Sequence, residues 1–399
     1  MHLLDNVIQP YAWGSRTALA ELLGQPAPSA TTQAELWMGA HPGGPSRVGR
    51  EGASRTLLEL IRSAPERELG EAVTRRFGAE LPFLFKVLAA ETPLSLQTHP
   101  SLAQAREGFA RENAQGIPLS APHRNYKDAN HKPELTCALT PFEALCGFRR
   151  VDETLALFDA LGVAALEPLL APLRASPDAR GVSRMFEALM TFPSERRASL
   201  VAGVVDACAA GLARPGPFHA EWRQAVRLGS LYPGDPGVVA ALMLNLVRLR
   251  PGEAIYLPAG NLHAYLGGVA VELMANSDNV LRGGCTPKHV DVPELLRVLD
   301  FRCGPVDVLV ARPHEEGEAV YPTPSEEFRL SRFQLRPGAV SRPARRGPEI
   351  LLCAEGSARL SLPGETLALP RGASVFVSAA DGAYSLEGEG LVFRATAGL

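Results

Sequence analysis

A mainly β chain interrupted by an inserted helical segment is what the sequence predicts, and three observations predict it. Short apolar runs punctuated by Pro and Gly fill the first 150 residues and return from about Val238. Between Val151 and about Tyr232, apolar residues recur at helical spacing and strand-like alternation is absent. Beyond about Pro322, short apolar runs are again separated by Gly and Pro. At 399 residues the chain exceeds the roughly 100 to 200 residues of one ordinary core, so two or three domains are expected.

In the first segment, Leu81 to Ala90 followed by Thr92 to Leu96 reads as buried strands joined by turns, with one helical stretch near Thr56 to Phe77. In the second, Leu155, Phe158 and Leu161, then Met185, Leu189 and Met190, then Leu200, Val204 and Val205 place apolar side chains on one face of successive helices. The third, Val238 to Asn279, has strand character broken by the turns Arg250-Pro251-Gly252-Glu253 and Pro258-Ala259-Gly260-Asn261. In the last, Phe328 to Leu335, Ala358 to Leu362, Ser374 to Ser378 and Leu391 to Ala395 have the spacing of a sandwich or jelly roll. The expected division is residues 1–150 with 238–320 as one β domain, 151–237 as a helical insertion and 321–399 as a C-terminal β domain.

Composition excludes several classes of partner. With 46% hydrophobic and 21% charged residues and a net charge of -3, there is no electrostatic reason to expect nucleic acid or an anionic membrane. Met1 to Trp13 carries no basic, apolar leader and no later run approaches the roughly 18 apolar residues of a membrane span, so a cytoplasmic protein is expected. The cysteines Cys137, Cys146, Cys208, Cys285, Cys303 and Cys353 are scattered without a CxxC pair, as reduced thiols would be. Of 40 basic side chains only four are Lys, namely Lys86, Lys127, Lys132 and Lys288. In a chain that otherwise uses Arg, such a Lys marks either chance or a place that needs a compact ammonium.

Four segments carry the chemistry. In Leu94-Ser95-Leu96-Gln97-Thr98-His99-Pro100, a strand would project Ser95, Gln97 and His99 to one face, as a site or as a solvated surface. Glu134 ends the polar run from Asn125 and opens the apolar run Leu135 to Leu139. A carboxylate there needs a metal, a cation or several donors, and a salt bridge to Arg would serve. His263 follows the Pro258 to Asn261 turn, and alone would be structural. Together, Gln97, His99, Glu134 and His263 offer two imidazoles, a carboxylate and an amide oxygen, a set that suits a catalytic zinc rather than a thiolate-closed structural one. The fourth segment, Val271 to Lys288, gathers Glu272, Asp278, Arg282 and Lys288 beside Gly283-Gly284, as a polar loop with an internal ion pair or as a ligand-approach loop.

These segments resemble the type I mannose-6-phosphate isomerase family, in its bacterial branch. The residues that carry the resemblance are Tyr11 to Ser15, Glu35 to Pro42, Leu81 to Lys86, Gln97 to Pro100, Asn125 to Glu134, His263 to Tyr265 and Asn276 to Lys288, in matching order over residues 1 to about 300. Leu262 departs from a frequent Pro, and Gly283-Gly284-Cys285 from a common Ala-Gly-Leu. The resemblance implies a cupin-like jelly-roll catalytic domain, a helical domain and a C-terminal jelly-roll-like β domain. It also implies one zinc per chain on Gln97, His99, Glu134 and His263, and a catalytic arginine at Arg282. Lys86, Ser95, Lys132 and Lys288 fall at pocket or phosphate positions, and Trp13, Tyr265 and Asp278 are expected to contact substrate.

The implied reaction is reversible conversion of mannose 6-phosphate to fructose 6-phosphate through an enediol, by a monomer acting on a small sugar phosphate. Such a reaction needs a Lewis acid, a charge to stabilise the enediolate and a base of near-neutral pKa. Glu272 raised by burial and Lys132 lowered by burial both qualify as the base, with His131 and Asp278 also open. The alternatives are an isomerase of another sugar phosphate or aldose, and a non-catalytic cupin-like sugar- or metal-binding protein. A bifunctional enzyme that also makes nucleotide-sugar lacks the Gly-rich start it would need.

Overall fold

Every strand ladder among the described residues is antiparallel, and most paired strands are distant in the chain. The computed structural model describes residues 1–49 and 55–399. Two large sheets carry the architecture. The first runs in the order Leu309–Val310, Glu253–Leu257, Glu134–Ala138, His263–Ala275, Phe83–Ala90, Glu35–Met38, Val7–Gln9. Phe142–Phe148, Leu244–Leu249, Leu96–Thr98 and Leu281–Gly284 join it beside the N-terminal half of His263–Ala275. The second sheet is built on Ser374–Val377, Glu349–Leu362, Ser385–Thr396 and Arg329–Leu335.

Alternation decides what each face of the first sheet does. In Phe83–Ala90, Phe85 and Val87 face a core shared with Ile350, Leu352 and Phe393 of the second sheet, while Leu84 and Lys86 face a cavity on the other side. In His263–Ala275, Val271 and Leu273 join the same core while Glu272 and Met274 face the cavity. Nearer its start, that strand turns the odd-numbered Tyr265 to the cavity. The change of parity comes from a bulge between Tyr265 and Gly267, where an extra residue shifts the register against Phe142–Phe148. Gly268 follows at φ +113°, and a Cβ there would stand 2.6 Å from the Pro141 carbonyl oxygen. One strand thereby brings residues from both of its halves to one site.

The helical segment runs from Val151–Leu161 through His219–Leu231 and packs as one core with Leu96, Leu145, Leu262 and Leu281 of the sheet. Four local expectations are corrected. Thr56 to Phe77 is three short helices, Leu57–Ser63, Pro65–Leu69 and Glu71–Phe77, broken at Ala64-Pro65 and at Gly70 with φ +82°. Thr92 to Ser95 is not strand, and pairing begins only at Leu96. Val238 to Ala241 belongs to the short helix Gly237–Ala241, and strand begins at Leu244, because a short apolar run does not by itself distinguish helix from strand. A helix at Leu102–Ala114, with the capping box Ser101 to Gln104, interrupts the first β segment.

The second sheet also draws on distant chain. His2–Leu3 pairs with Ser374–Val377, and Arg312–Pro313 and Glu318–Val320 extend the edge beside Arg329–Leu335. Inside it, fully buried Arg394 pairs with Glu349 at 2.7 Å and Glu318 at 3.1 Å, which compensates charges too costly to bury alone. Among the described residues, no helix is long and apolar enough to cross a membrane.

Candidate metal centre and cavity

Glu134 and His263 open their strands, and His99 directly follows the strand Leu96–Thr98, so three chain segments converge. Gln97 lies opposite His263 on one side and Arg282 on the other. Glu134 opens its strand opposite Leu257 and Met274. The turn before His263 is tied to the His99 segment, because Gly260 N donates to the His99 carbonyl at 2.8 Å. Gly260 has φ +78° and stands so close to Val298 and Asp300 that a Cβ would meet their backbone at 3.0 Å.

The three side chains are 2%, 2% and 1% exposed, burial that an unpaired charge or unmet polar atom does not survive cheaply. His99 Nδ1 meets the Asn279 carbonyl at 2.6 Å and His263 Nδ1 meets the Asn261 carbonyl at 3.0 Å. A carbonyl only accepts, so each Nδ1 carries the proton and each Nε2 presents a lone pair. Those lone pairs face Glu134, with His99 Nε2 3.4 Å from Oε1 and His263 Nε2 3.4 Å from Oε2. His99 Nε2, His263 Nε2 and Glu134 Oε2 make no hydrogen bond, and the three ligand atoms lie within 4.8 Å of one another. Two oriented imidazoles and a carboxylate, all buried and unmet, fit a divalent cation of the zinc type.

Electrostatics favour the ligating forms. Burial pushes the His99 ring down to about 4 against the opposing pull of Glu134, so the imidazole is neutral at neutral pH. Burial would raise the Glu134 carboxyl, but the His99 ring and the Lys132 ammonium outweigh it and hold the group well below the usual range. Lys132 Nζ stands 3.2 Å from Glu134 Oε1.

Above this floor opens a cavity of about 720 Å³. Of the residues expected from the sequence, Trp13, Lys86, Ser95 and Gln97 line it. So do Lys132, Glu134, Tyr265, Glu272, Asp278, Arg282 and Lys288. His99 and His263 sit beneath its surface. Lys86 Nζ lies 3.2 Å from Glu272 and 3.6 Å from Glu35. Burial disfavours its ammonium, but Glu35, Glu272 and Glu134 together raise its pKa above the ordinary lysine value. Glu272 is raised by burial, with Lys86 opposing, and Tyr265 Oη donates to Glu272 Oε1 at 2.8 Å. Among the described residues, neither Arg282 nor Lys288 has a side-chain ion pair, and burial lowers both. Two unpaired cations at one end of a cavity suit an anionic group on a ligand.

One candidate falls away from the cavity. His131 pairs with Glu327 at 2.7 Å and lines a separate cleft of about 200 Å³, while its chain neighbour Lys132 lines the main cavity. Of the four lysines, Lys127 does not line the cavity, and its Nζ donates to the Leu119 carbonyl at 2.5 Å. The sequence reading passed over Glu35, which receives the Trp37 indole N–H at 2.6 Å, and His41, whose Nε2 faces Asp278 at 3.4 Å. That contact holds the Asp278 carboxyl below its usual range. An acid inside the apolar run Ala34 to Met38 was the signal for Glu35, the same signal that picked out Glu134. Tyr232 reaches the cavity rim from the helical segment, which no local pattern announces.

Comparison with known proteins agrees over the whole length. A family model of the phosphomannose isomerase type I catalytic domain matches residues 1–151, and one of the mannose-6-phosphate isomerase cupin domain matches residues 318–397. The mannose-6-phosphate isomerase of Escherichia coli (strain K12) is 43% identical over 396 residues, covering 99% of each chain. That of Homo sapiens is 35% identical over 408 residues, covering 94% of this chain and 93% of the human one. Among solved structures, a variant of phosphomannose isomerase from Salmonella typhimurium superposes over 100% of both chains with TM-score 0.92 and 40% identity. A zinc-bound mannose 6-phosphate isomerase gives TM-score 0.90 and 40% identity over 100% of this chain and 99% of that one.

Proposed function

The chain belongs to the type I mannose-6-phosphate isomerase family, and from that premise we propose that its cavity interconverts mannose 6-phosphate and fructose 6-phosphate with zinc as cofactor. The observation that carries the reading is the buried His99–Glu134–His263 cluster, with its unmet ligand atoms directly beneath a cavity that holds unpaired Arg282 and Lys288. One zinc per chain is held by these three residues and by Gln97. When bound, the metal supplies Lewis-acid polarisation of the sugar oxygens.

This chain's residues do the rest. Glu272 takes the proton from carbon 2 of the open-chain aldose, and the enediol forms as carbon 1 becomes an oxygen-bearing alkene carbon. Return of the proton to carbon 1, with a proton passing from the oxygen on carbon 2 to that on carbon 1, completes the ketose. A carboxylate raised by burial is suited to that exchange, and the Lys86 ion pair keeps it ionised. The Lys132 ammonium and the Arg282 guanidinium stabilise negative charge on the two oxygens in a water-poor site. Lys288, with Ser95, holds the phosphate. Trp13, Tyr265 and Asp278 shape the sugar end, and Tyr265 also orients Glu272.

We divide the chain into a catalytic unit of residues 1–150 and 238–320, a helical insertion of 151–237 and a C-terminal unit of 321–399. The run of helices between Val151 and Leu231 and a C-terminal cluster around Leu351, Leu360 and Val392 support this division, although the helices and the second sheet each share a core with the first sheet. We take the acting unit to be a monomer, because the proposed metal ligands, base and phosphate contacts are all supplied by this chain. Six free cysteines suit a reducing cytoplasm, and the proposed sugar-phosphate reaction would place the protein in carbohydrate metabolism. The test of the assignment is a substrate panel with and without the 6-phosphate, together with Glu272→Gln. Turnover confined to the phosphorylated hexoses, and lost in Glu272→Gln without loss of zinc, is expected. Turnover of the free sugars at equal efficiency, or an active Glu272→Gln, overturns it.

A further inference from the structure

Two stretches that are unusually polar in the sequence, Asn125 to Glu134 and Asn276 to Lys288, send only part of their polar residues into the cavity. Asp128, Asn130 and Asn279 line none of it. They bind one another instead. Asn279 is fully buried. Its Oδ1 accepts from Lys127 N at 2.6 Å and from Asp128 N at 3.2 Å. Its Nδ2 donates to the Asp128 carbonyl at 2.9 Å and the Asn130 carbonyl at 2.8 Å. The Asp128 carboxylate closes the clip from the other side, accepting from the Ser277 hydroxyl at 2.9 Å and Asp278 N at 2.7 Å.

The same residue reaches the metal centre through its backbone, since the Asn279 carbonyl accepts from His99 Nδ1 at 2.6 Å. One residue therefore grips the segment that runs into Lys132 and Glu134, and orients His99. It stands three positions before Arg282. Only an amide serves: both of its acceptor sites and both donors are in use, so a carboxylate would lose the two donor bonds and face Asp128 with like charge. Alanine would remove the side-chain partner of four part-buried backbone groups of residues 127, 128 and 130, with the Asn130 carbonyl keeping the Ser277 hydroxyl.

We infer that Asn279 is a positioning residue for the metal centre, fixing the distance between the Glu134 arm and the His99 arm and, with it, the placement of Lys132 and Arg282. The inference rests on the zinc-isomerase reading above. It predicts that metal affinity and turnover change together when the clip is opened, while substrate affinity, set by groups elsewhere in the cavity, does not.

The experiment uses the full chain with Asn279→Ala, Asn279→Asp and Asp128→Asn, and with Leu360→Ala in the C-terminal core as a control for general destabilisation. Zinc affinity is read by competition with a chromogenic chelator, thermal midpoint on the same samples, and kcat and KM with mannose 6-phosphate at saturating zinc. Outer-shell partners of metal ligands typically matter about 10- to 100-fold, so both Asn279 variants are expected to bind zinc about tenfold or more weaker and to lose about tenfold or more in kcat, with KM within about threefold. Leu360→Ala lowers the midpoint and leaves zinc affinity and kcat within about twofold. Asn279 variants with zinc affinity and kcat within twofold of the parent overturn the inference, as does a Leu360→Ala loss of the same size at the same midpoint. If the Asn279 variants do not fold, Asp128→Asn decides by the same two readings. Failure of the underlying reading shows elsewhere, as a parent chain without zinc-dependent turnover.

Discussion

Replacing Lys86 with Met removes the one cation between two buried carboxylates while keeping the side chain's length. The Lys86 side chain is 7% exposed, with Glu272 at 3.2 Å and Glu35 at 3.6 Å. At 3.2 Å and an effective dielectric of about 20, the Lys86–Glu272 attraction alone is about 5 kcal/mol before desolvation. Leaving a buried charge unpaired costs about 3 to 5 kcal/mol net. The protein has an escape: Glu272, already raised by burial, takes up a proton instead. Without the opposing Lys86 charge the Glu272 carboxyl is raised further and holds its proton to higher pH, so the proton acceptor is lost over more of the pH range. Isomerase rate at saturating mannose 6-phosphate is measured from about pH 5.5 to about pH 9.5, beside urea unfolding. The acidic limb of kcat should move to higher pH by at least about one unit, with rate falling about tenfold per unit at pH 7 and recovering as pH rises. A rate loss equal at every pH, or an acidic limb that stays in place, refutes both the ion pair's role and Glu272 as the base.

Two further outcomes are expected. Arg282→Ala should lower kcat by about 10² to 10³ through lost stabilisation of the enediolate while zinc content stays at that of the parent, and equal loss of both by metal analysis would make the residue structural. In the metal-free chain, the His99 ring is depressed to about 4, so its contribution to stability is complete above the unfolded value of 6.5 and is lost as pH falls through about 4. The total is about 3 kcal/mol. Urea unfolding of the apo chain at a series of pH values reads it, and a His99→Gln variant, which cannot titrate there, should show a flatter acid limb. Equal limbs would contradict the burial argument.

The candidate metal residues were legible because their chemistry conflicts with their surroundings. Glu134 opens an apolar run, and Gln97 and His99 alternate with Leu96 and Thr98, both of which are buried. The class of fold was legible from period, since helices and strands impose different spacings on the same apolar residues. Where period was weak, the reading slipped. Val238 to Ala241 carries no alternation, and the breaks at Ala64-Pro65 and Gly70 were overridden by a continuous helical composition. The helix Leu102–Ala114 announced itself through Ser101 and Gln104, a signal present and not used. Other features have no local signature. The pairing of His2–Leu3 with Ser374–Val377 depends on a chain separation that no window spans. The parity switch at Tyr265–Gly267 is a property of register, and the burial that raises Glu272 is set by the folded cavity rather than by its own segment. His131 stayed open as a base because nothing in its segment fixes its direction, and its contact with Glu327 takes it to a separate cleft.

The central claim is that a zinc ion held by His99, Glu134, His263 and Gln97 makes this cavity an isomerase. Stepwise addition of zinc to the chelated chain, with bound metal and mannose 6-phosphate isomerisation followed on the same samples, tests it most directly. The account predicts turnover near zero without metal and a linear return that saturates at about one zinc per chain, with Glu134→Ala neither binding that zinc nor recovering. Full turnover in the chelated chain, or in Glu134→Ala, would contradict it.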